Sequence, residues 1–195
     1  GFWPGLCVSL KHNSVFASFC ILAKGDYPSE LNIPIPFSLI SNDQSKNELV
    51  IMPAYWFQYN MYALARNSWK YADRDKRTDK TQLLEFDYLA PDTINEMLSA
   101  IQLFEKLVDK KRLTLSDKKL DKQDIFVNGF ENGNRKVRII KIKEAYRIFR
   151  DMIDFYFASQ MLIAYENGII GSLADVKKLI PAKLTIDEWE MLEVN

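Results

Sequence analysis

The character of the chain changes at Pro53, and this change restricts the fold more than any other feature. Residues 1–52 are rich in Val, Ile, Phe, Ser, Pro and Gly and show no helical periodicity. Pro34 and Pro36 disfavour a central strand, because proline cannot donate to a strand ladder. Residues 53–195 instead carry apolar side chains at helical spacing. The sequence therefore predicts an extended or β segment over 1–52 and a helical domain over 53–195.

The beginning of the helical part is unusually aromatic. Seven aromatic residues lie between positions 55 and 71: Tyr55, Trp56, Phe57, Tyr59, Tyr62, Trp69 and Tyr71. Apolar side chains occupy nearly all sides of the helix predicted here, and such a helix is usually buried. We therefore expect most of this run to be core, with residues 73–80 as its solvated end.

Local patterns predict further elements in the second half of the chain. Thr93 with Glu96 fits a capping box at the start of a helix. Two Asn-Gly pairs between apolar runs, within residues 124–140, predict a hairpin or a long turn. Helical periodicity from Lys141 to Tyr165, followed by Asn-Gly, predicts a long helix. Two short capped helices are expected after residue 172.

Composition narrows the functional classes. The 26 basic and 26 acidic side chains give zero net charge, which argues against a nucleic-acid binder that works by a general positive field. No apolar run is long enough to span a membrane. Cys7 and Cys20 are expected to be buried thiols, and the apolar N-terminal stretch lacks the basic region of a signal peptide. These features predict a cytoplasmic protein without nucleic-acid or membrane partners.

No metal or cofactor is predicted. The one histidine, His12, excludes a zinc site built on several histidines. Gly129 and Gly133 lack the strand–loop–helix context of a phosphate-binding loop. His12 is a weak candidate for a general base, and a local role in a turn beside Asn13 is the plainer interpretation.

A six-residue step marks the N-terminal segment. Val15 and Ile21 are six positions apart, and each follows a small residue, Ser14 and Cys20. The coils of a left-handed β-helix require such a step, with one inward aliphatic residue in six. An ordinary pair of strands could also carry it.

Three stretches read together also carry a family resemblance. They are GFWPGLCVSLKHNSVFASFCILAKGDYPSELNIPIPFSLIS, MPAYWFQYNMYALARNSWKYADRDKR and LLEFDYLAPDTINEML. They resemble the C-terminal part of a large uncharacterised family from Bacteroides-type gut bacteria, in which a hexapeptide-repeat left-handed β-helix precedes a helical region. Some of its members are labelled sugar-nucleotide transferase-like or acyltransferase-like. The resemblance covers residues 2–98 and implies that residues 1–52 form the last coils of such a β-helix.

The candidate ligand-binding residues lie in the aromatic run. Polar side chains on an otherwise apolar helix must be hydrogen-bonded or line a cleft. Arginine beside aromatic rings suits a phosphate or sugar ligand. The predicted ligand-binding set is Arg66, Asn67, Asn60, Trp69 and Tyr59. The structural alternative pairs Arg66 with Glu85 or Asp87, two carboxylates that a weaker hypothesis treats as an acid–base pair.

These observations together predict a mainly α fold: a bundle-like helical module with an extended N-terminal segment that resembles the last coils of a left-handed β-helix. The favoured function is structural, as an assembly module that caps a β-helix protein and associates with copies of itself or with upstream coils. One alternative is the substrate-binding part of a nucleotide-sugar or acyl transferase, and another is a carbohydrate-binding helical module. Enzymatic activity of this chain alone is not favoured.

Overall fold

The computed structural model describes residues 2–82, 84–114, 123–172 and 174–176. Contacts divide the chain into two compact units, Gly1–Arg150 and Asp151–Asn195. In the described part of the first unit, ten strands and four helices, together with a long helix that begins there, make the architecture mixed α/β. The strands are β1 (Trp3–Pro4), β2 (Val8–Leu10), β3 (Val15–Phe16), β4 (Ile21–Leu22), β5 (Gly25–Tyr27), β6 (Asn32–Ile33), β7 (Leu39–Asp43), β8 (Glu48–Met52), β9 (Ile125–Val127) and β10 (Lys136–Ile139). The helices are α1 (Tyr55–Tyr59), α2 (Met61–Arg74), α3 (Pro91–Leu107), α4 (Lys110–Thr114) and α5 (Ile142–Glu166).

The first seven strands pair in parallel. β1 pairs with β4, β4 with β7, β2 with β5 and β3 with β6. Trp3 lies opposite Ile21 and Val8 opposite Gly25, so the chain returns beside itself after 17 or 18 residues. Cys7, Asn13 and Phe19 lie between these strands with positive φ angles of 56, 65 and 58 degrees. Left-handed backbone at non-glycine residues is uncommon and marks tight corners.

Strands from both halves of the chain form one mixed sheet of six strands, in the order β1-β4-β7-β8-β10-β9. β8 runs antiparallel to β7, β10 runs parallel to β8, and β9 completes the sheet as an antiparallel hairpin partner of β10. The hairpin predicted from the two Asn-Gly pairs is therefore confirmed. Its docking on β8 is a long-range contact, and local sequence patterns do not reveal such contacts.

This sheet corrects the predicted fold class. The fold is mixed α/β and not mainly α, and a β-helix is not shown by the described residues. Among the described residues, two of the three sheets contain only two strands, and the third is the mixed sheet that includes β8, β9 and β10. The prediction was wrong because it did not foresee that the hairpin within residues 124–140 joins the strands of residues 1–52 in one sheet.

Buried apolar side chains of both the strands and the helices form the core. Ile33 and Ile35 are fully buried while Pro34 between them is exposed, so the proline faces solvent where no ladder bond is needed. Trp56 is also buried, and its Nε1 donates to the carbonyl oxygen of Phe19 at 2.6 Å.

The segment between β9 and β10 covers an edge left by the early strands. Asn32 N–H donates to the Phe130 carbonyl at 2.9 Å, and Asn132 N–H donates to the Glu30 carbonyl at 2.8 Å. Leu31 forms an isolated antiparallel bridge with Glu131. Unpaired strand edges are sites of unwanted association, and this segment blunts one of them.

α3 and the first turns of α5 complete the first unit. Phe104 and Phe149 stack with ring centroids 6.0 Å apart. Tyr146 Oη donates to a Glu105 carboxylate oxygen at 2.7 Å, a bond that lowers the pKa of Glu105 below its ordinary value. The predicted long helix is confirmed, since α5 begins and ends within one residue of the predicted bounds. Among the described residues, no helix has the length and apolar character needed to cross a membrane.

The second unit contains the remaining turns of α5 and the residues that follow it. Gly168 has a φ angle of 70 degrees, and the N–H of Ile169 donates to the Ala164 carbonyl at 2.9 Å. This left-handed glycine ends the helix as predicted. The helix predicted around residues 185–188 lies outside the described residues.

Candidate binding surface on the second helix

The aromatic run does not form one continuous helix. Ala54 precedes α1 in a left-handed conformation, with a φ angle of 54 degrees. Asn60 separates α1 from α2: its N–H donates to the Trp56 carbonyl at 2.9 Å, and its own carbonyl accepts from Ala63 N–H at 3.0 Å. Asn60 was a predicted ligand-binding residue, and the structure places it at this break between helices.

The break separates inward from outward aromatic residues. Trp56 is 1% exposed and packs edge-on against Trp3, with ring centroids 4.7 Å apart. Beyond the break, Tyr62 is 69% exposed and Trp69 is 64% exposed. The expectation that most of the run is core was therefore wrong. Only Leu64 is buried in α2, because α2 turns one narrow face to the protein.

Three exposed side chains follow one face of α2. Tyr62, Arg66 and Trp69 occupy positions i, i+4 and i+7, so they lie one above another along the helix. We call this set the α2 stripe. Arg66 forms no hydrogen bond or ion pair with any described residue, and the pairing expected with Glu85 or Asp87 is not found. Glu85 instead accepts the backbone N–H of Asp87 at 2.8 Å.

Tyr59 belongs to a separate contact. It lies in α1, and the Nζ of Lys141 donates to its hydroxyl and lies 4.8 Å from the centroid of its ring. Lys141 directly precedes α5 and has a φ angle of 56 degrees. Tyr59 therefore links α1 to the start of α5, although 54% of its surface is exposed.

A groove of about 810 Å³ lies beside the stripe, and we call it the α2 groove. It is lined by Asn67, Lys70, Tyr71, Arg74 and the segment 75–77 that follows the helix. A helix turns by about 100° per residue, so Asn67, Lys70 and Arg74 share a face that is adjacent to the stripe. The structure therefore assigns Asn67 to a different face from Arg66 and Trp69 and does not gather the predicted ligand set at one point.

Sequence reasoning missed Lys70 and Arg74 as members of this surface. The sequence does indicate that Lys70 lies beside Asn67, because residues three positions apart share a helical face. The other wall of the groove is formed by residues 75–77. These residues follow the end of α2 at Asp75, whose N–H donates to the Tyr71 carbonyl. Local periodicity does not predict this second wall.

One carboxylate lies in the groove and already has a partner. Arg77 donates to both carboxylate oxygens of Asp75, at 2.9 and 2.8 Å. This bond holds the pKa of Asp75 well below its usual range. Asp75 is therefore ionised at neutral pH and fixed in orientation by Arg77.

The structure gives His12, the weak candidate for a general base, a place in a local turn. His12 is exposed and sits in a turn before Asn13, whose φ angle is 65 degrees. Ser14 Oγ closes this turn by donating to the Lys11 carbonyl at 2.8 Å. In the described part of the chain, no cluster of three or more His, Cys, Asp or Glu side chains is arranged to hold a metal ion.

Comparison with known proteins gives one informative match. The chain is 39% identical over 180 residues to an uncharacterised protein of Treponema pallidum (strain Nichols). The match takes in 86% of this chain and 25% of the Treponema protein, so the chain spans about a quarter of that protein's length. No family model matches the chain, and no solved structure matches it. The resemblance to a Bacteroides-type family stays a prediction.

Proposed function

We propose that this chain is a structural assembly module that associates with a second copy of itself through the α2 stripe. The observation that carries the proposal is the exposure of Tyr62, Arg66 and Trp69 along one helical face. Keeping two large aromatic rings in water forgoes the favourable free energy of their burial. Tryptophan, tyrosine and arginine are also the residues that most often dominate binding energy in protein interfaces.

The chemistry of the α2 stripe favours a second copy as the partner. The stripe contains both aromatic rings and a guanidinium group, which attract each other when the cation lies over a ring face. In a two-fold arrangement of antiparallel α2 helices, Tyr62 of one copy lies opposite Trp69 of the other. Arg66 then lies between the two rings of the facing helix. Such a surface is self-complementary, as a two-fold interface requires.

The chain matches only a quarter of the Treponema protein, which suits one module of a larger molecule. The cytoplasm is the proposed compartment, because the exposed thiol of Cys7 is compatible with a reducing environment.

The ligand-binding alternatives remain predictions. A carbohydrate-binding module or a part of a nucleotide-sugar or acyl transferase would use Arg66, Asn67 and Trp69 around one ligand. These residues lie on two adjacent faces of α2, which favours the assembly proposal over a ligand held by that set.

Native mass from light scattering tests the proposal. We expect the mass to rise toward that of a dimer between two protein concentrations about 100-fold apart. Trp69→Ala and Arg66→Ala should each weaken association by about 30-fold, the effect of losing an interface side chain worth ~2 kcal/mol. Phe155→Ala is the matched control, because Phe155 is an aromatic residue of α5 that is 56% exposed and lies outside the stripe.

Two outcomes would contradict self-association through the stripe. The first is a monomer at both concentrations. The second is a dimer that dissociates with Phe155→Ala but persists with Trp69→Ala and Arg66→Ala, which would move the interface to α5.

A further inference from the structure

The α2 groove concentrates positive charge. Its lining contains four cationic side chains and one carboxylate, and its net charge is +3. Lys70 and Arg74 form no ion pair or hydrogen bond with the residues that the structure describes. Lys76 donates from Nζ to the backbone carbonyl of Asp73 at 3.2 Å, which leaves its charge unbalanced.

The carboxylate of Asp75 does not neutralise Lys70 or Arg74. Arg77 binds both of its oxygens, and Lys80 lies 3.9 Å from one of them. Arg77 and Lys80, the two partners of Asp75, both follow α2 in the chain, whereas Lys70 and Arg74 belong to α2. The groove therefore keeps two cations of α2 available for a ligand.

The helix dipole explains only part of this charge. A basic residue in the last turn complements the partial negative charge of the helix C-terminus, and Arg74 occupies that position. Lys70 lies one turn earlier, while Lys76 and Arg77 follow the helix. Their convergence on one shallow, open groove is the observation that the dipole leaves unexplained.

We propose that the α2 groove binds a small molecule that carries a pyrophosphate group. The guanidinium of Arg74 has the planar fork of donors that matches phosphate oxygens, and Lys70 adds a point charge one turn away. The Asn67 amide offers a neutral donor on the same helical face. The groove is shallow and open to solvent, so it leaves room for a ligand larger than a pyrophosphate group alone.

This site goes beyond the assembly function and does not depend on it. The groove and the α2 stripe occupy adjacent faces of one helix, so each can be altered without changing the other. Failure of pyrophosphate binding would leave the light-scattering result unaffected, and the converse also holds.

Isothermal titration calorimetry of the full chain tests the proposal, with inorganic pyrophosphate and a nucleoside diphosphate as separate probes. Ionic strength should be low and matched with chloride, because salt screens exposed charges. We expect saturable binding that the double variant Lys70→Gln/Arg74→Gln weakens by at least about tenfold. Lys106→Gln is the control, since Lys106 is an exposed cation in the last turn of α3 and lies outside the groove.

The two probes separate the sources of affinity. Tighter binding of the nucleoside diphosphate would show that the rest of the groove contacts the organic part, and equal binding would show that pyrophosphate alone is recognised. Both results support the site. No saturable binding of either probe, or binding unchanged in the double variant, would overturn it. Asn67→Ala provides a second variant if the double variant does not fold, and it should weaken binding without altering the melting temperature.

Discussion

The two cysteines show how strongly position decides the chemistry of a residue. Cys20 is fully buried, and its Sγ lies 3.4 Å from the Ile35 carbonyl, to which it donates. Burial raises the pKa of this thiol to about 12. Cys7 is free and exposed, so the expectation that both thiols are buried was wrong for Cys7. A corner between β1 and β2 places Cys7 at the surface.

This difference predicts selective thiol reactivity. Because the thiolate is the reactive species, an aromatic disulfide reagent at mildly alkaline pH should modify one thiol of the folded protein quickly. In denaturant it should modify both. Cys7→Ser is the control and should leave the folded protein unreactive. Equal rates for the two thiols of the folded wild-type protein would contradict the buried position of Cys20.

Trp56 and Trp69 show what residue patterns can and cannot predict. Both belong to the same aromatic run, and the periodicity of the run does not distinguish them. Trp56 is buried because the Phe19 carbonyl and the Trp3 ring reach it from segments far away along the chain. Trp69 has no such partner among the residues that the structure describes, and it remains exposed. The burial of Trp56 therefore depends on residues far away along the chain, and the local sequence pattern does not predict such contacts.

At the scale of elements, the same limit explains the start of α3. The capping box predicted from Thr93 and Glu96 is not the observed arrangement. The helix begins at Pro91, and the Thr93 hydroxyl accepts the N–H of Ala90 at 3.0 Å. Glu96 instead reaches the N-terminal strands, where its carboxylate accepts the backbone N–H of Ser18 at 2.8 Å. α5 was predicted closely because its bounds depend on its own periodicity and on Gly168.

The contact between Glu96 and Ser18 predicts a pH-dependent stability. Burial raises the pKa of Glu96 above its ordinary value. The folded state therefore holds the proton more tightly than the unfolded state, and this contribution to stability is lost as pH rises through the folded pKa. Relative to wild type, Glu96→Gln should gain free energy of unfolding as pH rises from about 4.5 to about 7, measured by urea denaturation.

Glu96→Ala is the companion variant. It removes the acceptor for the Ser18 N–H and should cost about 1–3 kcal/mol at neutral pH. A difference between wild type and Glu96→Gln that stays constant over this pH range would mean that the Glu96 carboxylate titrates alike in the folded and unfolded states.

At the scale of the whole molecule, the fold depends on chain segments that return to the early strands. Arg135, between the β9–β10 turn and β10, donates to both carboxylate oxygens of Glu131 and to the side-chain oxygen of Asn42 in β7. The Glu131 side chain is fully buried, and the Arg135 side chain is 10% exposed. A paired charge network thus fixes the covering segment on the sheet. It joins residues 93 positions apart, which is why the sequence did not predict it.

This network predicts a large effect from Arg135→Gln. The substitution leaves the Glu131 carboxylate buried without its charge partner, which should lower the free energy of unfolding by about 3–5 kcal/mol. The second substitution in Arg135→Gln/Glu131→Gln removes the stranded charge and should recover part of the loss. Arg77→Gln is the matched control, since it breaks an equally well-formed arginine–carboxylate pair at a more exposed position, and it should cost much less than Arg135→Gln. Urea denaturation of the four proteins measures these differences. Equal losses for Arg135→Gln and Arg77→Gln would mean that the network adds no more than a surface ion pair, and the backbone bonds of residues 130 and 132 would then hold the covering segment in place.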